Sequence, residues 1–125
     1  MKLIIAGSRS ITVSTILSRA ILKSEINMNI VTEIVSGNAD GVDSLGEDFA
    51  RVNAIPLKVF YPDWAKHGRS AGPIRNKQMA EYADVLLLIW DSTSRGSKSM
   101  LNEMTGLKKP TFLYSNNNGK WIQYL

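Results

Sequence analysis

The chain has 125 residues, the length of one domain, and its 15 basic and 11 acidic side chains give a net charge of +4. The absence of cysteine excludes a disulfide scaffold, a thiolate zinc site and a cysteine nucleophile, and the single histidine excludes a multi-histidine metal site. The longest apolar run, residues 85–90, is far shorter than the roughly 20 residues of a membrane span, and no export signal opens the sequence. We therefore expect one domain over residues 1–125, in the cytoplasm, with no membrane contact, no metal and no cofactor.

Strand and helix patterns alternate along the chain. Apolar runs predict strands at residues 3–6, 30–35, 56–60, 85–90 and 111–114, and a turn at residues 116–119 precedes a short strand at residues 121–125. Helical periodicity predicts helices over residues 13–26, 40–52 and 73–83 and around residues 100–107. Strands that are apolar throughout are typical of a parallel sheet covered on both faces. The alternation therefore predicts an α/β fold with a doubly wound, mainly parallel five-stranded sheet and helices on both faces.

Several residues are candidates for the helix ends. Thr12 or Ser10 is available to cap the first helix, and Pro73 stands where a first helical residue is expected. Asp40 is the expected cap of the second helix, with Asp43 at its third position, because the helix dipole favours acids there. We prefer this structural role to a catalytic one.

Apolar residues at helical spacing mark the faces that are expected to pack. In the second helix they form one stripe, made of Val42, Leu45, Phe49 and Val52. In the fourth helix Met100 and Met104 stand at core spacing.

Small, polar or glycine-rich segments follow each of the first four predicted strands. In an open α/β sheet, ligands bind beyond the carboxyl ends of the strands, where these segments converge. The predicted ligand-binding residues are Gly7, Ser8, Arg9, Ser36, Gly37, Asn38, Gly72, Arg75, Asn76, Asp91, Ser94, Arg95, Gly96 and Ser97.

The segment 94–97 has the clearest binding mechanism. It opens a helix, whose free N–H groups and positive dipole end attract an anion, although Ser94 or Ser97 could equally be a simple N-cap. Residues 7–9 could let a ligand approach the backbone, or could simply turn the strand into a helix. Residues 64–80 contain basic side chains and no acid, which fits an anion the size of one or two phosphates or a solvated loop.

The sequence lacks the motifs of the commonest nucleotide enzymes. No Walker A motif is present, and no G-x-G-x-x-G follows the first strand. A typical nucleoside triphosphatase or nicotinamide dehydrogenase is therefore disfavoured.

Four motifs occur in an order that resembles a known family. They are Ala-Gly-Ser-Arg at residues 6–9, the segment from Ser-Gly-Asn-Ala-Asp-Gly to Leu-Gly-Glu at residues 36–47, Ala-Gly-Pro-Ile-Arg-Asn at residues 71–76 and Ser-Arg-Gly-Ser at residues 94–97. Together they resemble the small, YspA-like branch of the SLOG superfamily, which is common in bacteria and their phages. That superfamily also groups the DNA-processing protein DprA with the LOG phosphoribohydrolases. The likeness extends from residue 1 to about residue 114.

The resemblance implies a Rossmann-like sheet of order 3-2-1-4-5 and a pocket for a nucleotide or nucleotide-derived ligand. In LOG enzymes a glycine-rich loop holds the phosphate of a nucleoside monophosphate, and a glutamate and an arginine cleave its N-glycosidic bond. By this likeness Gly96 and Ser97 match the Gly-Thr pair of that loop, and Arg75 matches the arginine. Met100 stands at the glutamate position, and Asp40 stands where relatives favour arginine.

Three functions follow from this reading. The first is a binder, a sensor or sponge that holds a nucleoside monophosphate, ADP-ribose or a cyclic relative. The alternative is a phosphoribohydrolase or N-glycosidase, with Arg75, Glu103, Asp43 and Asp91 as the catalytic candidates. Single-stranded DNA binding ranks last, because the basic residues cluster in one loop instead of forming a groove.

The first helix is more apolar than one buried face requires. It carries Ile16, Leu17, Ile21, Leu22 and Ile26. We therefore expect a homo-oligomer.

Overall fold

The computed structural model describes residues 1–117 and 120–124, in which six strands form one sheet. The strands are β1 (Lys2–Gly7), β2 (Glu33–Ser36), β3 (Leu57–Val59), β4 (Val85–Trp90), β5 (Thr111–Asn117) and β6 (Lys120–Tyr124). Their order is β3-β2-β1-β4-β5-β6, and every neighbouring pair is parallel except β5 and β6. The predicted α/β class and the order 3-2-1-4-5 are confirmed, with β6 added antiparallel at the edge. Residues 118 and 119 of the predicted turn, and Leu125, lie outside the described residues.

The helices are α1 (Ser14–Ser24), α2 (Val42–Val52), α3 (Trp64–His67), α4 (Ala71–Tyr82) and α5 (Arg95–Gly106). Short 3₁₀ turns occupy Met28–Ile30 and Gly68–Ser70. None of the helices in the described part of the chain is long and apolar enough to cross a membrane.

Successive residues of the central strands point to opposite faces of the sheet, and both faces are apolar. Leu3 and Ile5 of β1 belong to one core cluster, which α1 and α2 cover through Leu17, Ala20, Val42 and Ala50. Ile4 and Ala6 belong to the other cluster, which α4 and α5 cover through Met79, Ala80, Met100 and Met104. Both faces are therefore buried, which explains why these strands are apolar without alternation. The predicted packing roles of Met100 and Met104 are confirmed.

Two predicted helix caps are wrong. Asp40 is exposed, and the residue that caps α2 is Gly41. Gly41 has φ +73°, and a Cβ at this position would lie 2.4 Å from the carbonyl oxygen of Ser8. The loop after β1 therefore passes so close that only glycine fits, and α2 begins later than the sequence predicts. In α1 the capping residue is Val13, without a side-chain hydrogen bond, so neither Thr12 nor Ser10 caps the helix.

Other element ends differ from the prediction by a few residues. Asp43 is the second residue of α2 and Pro73 the third of α4, still in a first turn where a missing N–H costs nothing. Val52 is 84% exposed, so the apolar stripe of α2 stops short of it, and the small residues Gly46 and Ala50 pack against the sheet instead. The strand predicted from residue 30 begins at Glu33, after a 3₁₀ turn.

Candidate functional site

A cleft of about 210 Å³ lies at the carboxyl edge of the sheet, beside the end of β1. The chain winds from β1 towards β3 on one side and returns to β4 on the other, so β1 and β4 flank the point where strand order reverses. Residues from β1, the loops after β1, β2 and β4, and helices α2, α4 and α5 line the cleft. They are Ala6, Gly7, Arg9, Ala39, Asp43, Arg75, Asn76, Met79, Ser94, Gly96, Ser97 and Met100.

The guanidinium of Arg75 is fixed in this cleft by two hydrogen bonds. Its Nη1 donates to the carbonyl oxygen of Gly37, and its Nε donates to Oδ1 of Asn76 at 3.0 Å. A Cβ at Gly37 would lie 2.9 Å from the guanidinium carbon, so a larger residue there would displace the guanidinium from this position. Arg75 thus enters the site with its orientation already set.

Asn76 connects Arg75 to the first turn of α5. The side chain is 4% exposed, and its Nδ2 donates to the carbonyl oxygen of Gly96 at 3.3 Å and to Oγ of Ser99 at 3.2 Å. The buried amide of Asn76 therefore fixes the position of the Arg75 guanidinium relative to the start of α5. This explains the proximity of two motifs that lie about twenty residues apart in the sequence.

The start of α5 presents donors to the cleft. Ser94 is the N-cap, and its Oγ accepts hydrogen bonds from the backbone N–H and the hydroxyl of Ser97 at 3.3 and 3.1 Å. The N–H groups of Arg95 and Gly96 open the helix and have no acceptor within it. A Cβ at Gly96 would meet no atom within 4 Å, so space is open beside these N–H groups. Ser94 is therefore an N-cap, and the start of α5 also borders the cleft.

The two arginines of the cleft have no acidic partner at ion-pair distance in the described residues. The ion pairs in the described residues lie outside the cleft and join Arg51 to Glu47 and to Asp48. Burial lowers the pKa of Arg75, the charge of Asp43 opposes this, and the charge of Arg9 lowers the pKa further. The cleft therefore holds concentrated positive charge that a bound anion would neutralise.

Asp43 is the one acid among the lining residues. It is 4% exposed, and its Oδ2 accepts a hydrogen bond from the backbone N–H of Ala39 at 3.2 Å. Burial raises its pKa to about 6, and it outweighs the opposing effects of the Ala39 N–H and the charge of Arg75. The carboxyl group therefore changes its charge just below neutral pH.

The structure brings half of the predicted ligand-binding residues together. Those that line the cleft are Gly7, Arg9, Arg75, Asn76, Ser94, Gly96 and Ser97. Those that do not are Ser8, Ser36, Gly37, Asn38, Gly72, Asp91 and Arg95.

Most of the second group supports the loops around the cleft. Ser8 is buried, and its Oγ accepts the backbone N–H of Asp91 at 2.9 Å. Ser36 is buried and donates its hydroxyl to Glu47 at 2.7 Å. Asn38 and Arg95 are exposed. These residues thus lie in loops around the cleft, but their side chains bind the protein or face solvent.

Among the four catalytic candidates, Arg75 and Asp43 line the cleft, whereas Asp91 and Glu103 do not. Asp91 accepts hydrogen bonds from the backbone N–H groups of Thr93 and Ser94 and from the hydroxyls of Ser10 and Thr93. Desolvation raises its pKa, but these donors outweigh that effect and hold the pKa well below its usual range. Asp91 is thus an organiser of the loop after β4.

Four lining residues were missed as site residues: Ala6, Ala39, Met79 and Met100. Helical periodicity could have found the methionines, since Met79 follows Arg75 by four residues and Met100 follows Gly96 by four. Both are buried and give the cleft an apolar wall beside its cations. Within the described residues, no cluster of three or more histidine, aspartate or glutamate side chains could hold a metal ion.

A protein-family model matches residues 1–67, slightly more than half of the chain. Its description is YAcAr, the YspA, cpYpsA-related SLOG family. The matched residues include Gly7, Arg9 and Asp43, whereas Arg75 and the start of α5 lie beyond them. No curated protein and no solved structure matches the chain.

Proposed function

The chain belongs to the YspA, cpYpsA-related SLOG family, and from that premise we propose that its cleft binds a nucleotide or nucleotide-derived small molecule through a phosphate. The protein would hold this ligand intact, as a sensor or as a sponge. A nucleoside monophosphate, ADP-ribose or a cyclic relative fits the proposal. Residues 1–125 would act as one domain, in the cytoplasm, where such ligands are produced and consumed.

One observation carries this proposal: Arg75 and Arg9 line one cleft with the open N-terminus of α5 and lack an acidic partner at ion-pair distance in the described residues. Guanidinium groups match phosphate oxygens in geometry, and free N–H groups at a helix start donate hydrogen bonds to an anion. Arg75 is already oriented by Gly37 and Asn76, so binding would cost it little conformational entropy.

Binding without turnover is favoured by Met100. The LOG resemblance implies a glutamate at this position, and the thioether that stands there lines the cleft and is 1% exposed. A thioether cannot stabilise the cationic sugar that forms when an N-glycosidic bond breaks. It does supply an apolar surface for a base or a sugar face.

The test is equilibrium dialysis of adenosine monophosphate with the wild-type protein and with Arg75→Ala. We expect saturable binding that Arg75→Ala weakens at least 30-fold, because the variant removes the oriented cation. Lys77→Ala is the matched control, since Lys77 is an exposed residue of the same helix outside the cleft lining. Equal binding by all three folded proteins would contradict the proposal.

A nucleotide N-glycosidase is the second candidate, and a specific observation supports it. Asp43 brings a buried carboxyl group into the same cleft as Arg75. In this alternative its carboxylate would stabilise the developing sugar cation. Release of free base that disappears in Asp43→Asn, with nucleotide binding retained, would favour the enzyme over the binder.

We also propose that the protein forms a homo-oligomer through α1. Leu22 on this helix is 78% exposed, and Val13 beside its start is also exposed. Light scattering should give a mass above that of one chain, and Leu22→Glu should reduce it. A monomeric wild-type protein would contradict this proposal.

Nucleic acid binding stays disfavoured, since Arg9 and Arg75 line a small cleft.

A further inference from the structure

A second cavity of about 220 Å³ shares Arg75 with the cleft. Its polar lining includes Tyr61, Asp63, Lys66, His67, Arg75 and Gln78. We infer that the ligand continues past Arg75 into this second cavity and is a nucleoside diphosphate whose outer phosphate carries a sugar. This inference rests on the proposed function and names the class of ligand.

Size is the first argument. Typical small-molecule sites enclose about 300–1,000 Å³, whereas the cleft encloses about 210 Å³. A nucleotide held only in the cleft would leave much of its surface in water. The second cavity is as large as the cleft, and the two together reach the usual range.

The position of Arg75 is the second argument. Arg75 lines both cavities, so a ligand that spans them must pass this residue. An arginine has five N–H donors. Two of its nitrogens, Nε and Nη1, donate to Asn76 and Gly37, and the described residues give Nη2 no acceptor. Free donors at the junction suit two phosphoryl groups in a row, because each offers oxygens to the same planar fork.

The lining of the second cavity is the third argument. Lys66 adds positive charge next to Arg75, and Lys66 and His67 both add hydrogen-bond donors. Asp63 is the acid of this cavity, and its Oδ1 accepts the backbone N–H of Lys66 at 3.1 Å as the cap of α3.

This mixture differs from the lining of the cleft. Gln78 and Tyr61 add groups that both donate and accept hydrogen bonds, and Tyr61 is 68% exposed. A carboxylate repels a bare phosphate but accepts hydrogen bonds from sugar hydroxyls. Donors for a phosphate and acceptors for hydroxyls therefore stand side by side, which is the chemistry of a phosphate that bears a sugar.

Calorimetric titration with adenosine monophosphate, adenosine diphosphate and ADP-ribose tests the inference. For the wild-type protein we expect affinity to rise in that order, with ADP-ribose at least tenfold tighter than the monophosphate. The double variant Lys66→Ala/His67→Ala should lose this tenfold advantage and bind the monophosphate as the wild type does. Gln78→Ala should lose part of it.

Lys77→Ala is again the control, because this exposed residue of α4 lines neither cavity. Should ADP-ribose bind no tighter than the monophosphate, or the double variant weaken all three nucleotides equally, the inference is overturned while the proposed function stands. Should none of the three bind to the folded wild-type protein, the proposed function falls and the inference falls with it.

Discussion

One aspartate follows β2 and another follows β4 at the carboxyl edge of the sheet, and their surroundings shift their pKa values in opposite directions. Asp91, after β4, accepts hydrogen bonds from two backbone N–H groups and two hydroxyls, and its pKa lies well below the usual range. Asp43, at the start of α2, is 4% exposed, and its burial raises its pKa to about 6 against the opposing backbone N–H donors of Ala39 and Gly7. The balance between burial and hydrogen-bond donors, rather than position in the fold, separates a structural carboxylate from one that can respond to pH and ligand.

The largest effect that tests this comparison is the pH dependence of stability from Asp43. Its folded pKa of about 6 exceeds the unfolded value of 3.8, so the folded state holds this proton more tightly. The free energy of unfolding should therefore fall as pH rises from about 4 to about 6, by up to about 3 kcal/mol from this group. Urea unfolding across this range should show the fall, and Asp43→Asn should remove it. An equal fall in Asp43→Asn would assign the titration to another group.

The second effect concerns Asp91. Asp91→Ala removes the acceptor that organises residues 91–94, and we expect a loss of about 2 kcal/mol in the free energy of unfolding at pH 7. Because the folded pKa of Asp91 is depressed, its contribution is present above the unfolded value near 3.8 and disappears as pH falls below it. Ionisation of Asp43 therefore lowers stability above about pH 4, whereas protonation of Asp91 lowers it below about pH 4. Unchanged urea midpoints for Asp91→Ala would show that the four hydrogen bonds contribute little.

A third effect tests the fixed orientation of Arg75. Gly37→Ala places a Cβ within 2.9 Å of the guanidinium and displaces the hydrogen bond to the Gly37 carbonyl oxygen. We expect a loss of about 1–2 kcal/mol in stability from this crowding, together with weaker nucleotide binding. Gly106→Ala is the control, since a Cβ there meets no atom within 4 Å. Normal nucleotide affinity in Gly37→Ala would mean that Arg75 binds without this support.

The smallest expected effect is on affinity. At pH 7.5 Asp43 is ionised and faces the same cleft as a bound phosphate, so Asp43→Asn removes a repulsion of about 1 kcal/mol. Adenosine monophosphate should bind roughly fivefold more tightly to the variant, and the difference should shrink at pH 5. A weaker Asn variant would mean that the carboxylate contacts the ligand directly.

The sequence predicts the fold more fully than the site. The run at residues 85–90 matches β4 to the residue, because a central strand buried on both faces is apolar along its whole length. The start of α2 is harder to predict, since the carbonyl oxygen of Ser8, thirty-three residues earlier in the chain, allows only glycine at position 41. Local sequence favours Asp40 as the cap, and tertiary contact overrides that preference.

In the site, the sequence identifies the loops but not the roles of their side chains. Arg75 and Gly96 follow from basic and glycine-rich patterns beyond strand ends. Asp43 and Asp91 look alike in sequence, and their different burial and hydrogen-bond donors, which depend on the tertiary structure, separate them. The link from Arg75 through Asn76 to α5 joins separate segments, so no local pattern reveals it.

The most direct test of nucleotide binding without turnover is mass spectrometry of a nucleotide mixture incubated with the wild-type protein, with bound and free fractions analysed separately. The mixture should contain nucleoside monophosphates, ADP-ribose and cyclic ADP-ribose isomers. We predict that one compound is retained intact at stoichiometric amounts while the free fraction keeps its composition. Catalytic loss of a compound, with free base and a ribose phosphate appearing in its place, would contradict the account and make Asp43 the first residue to replace.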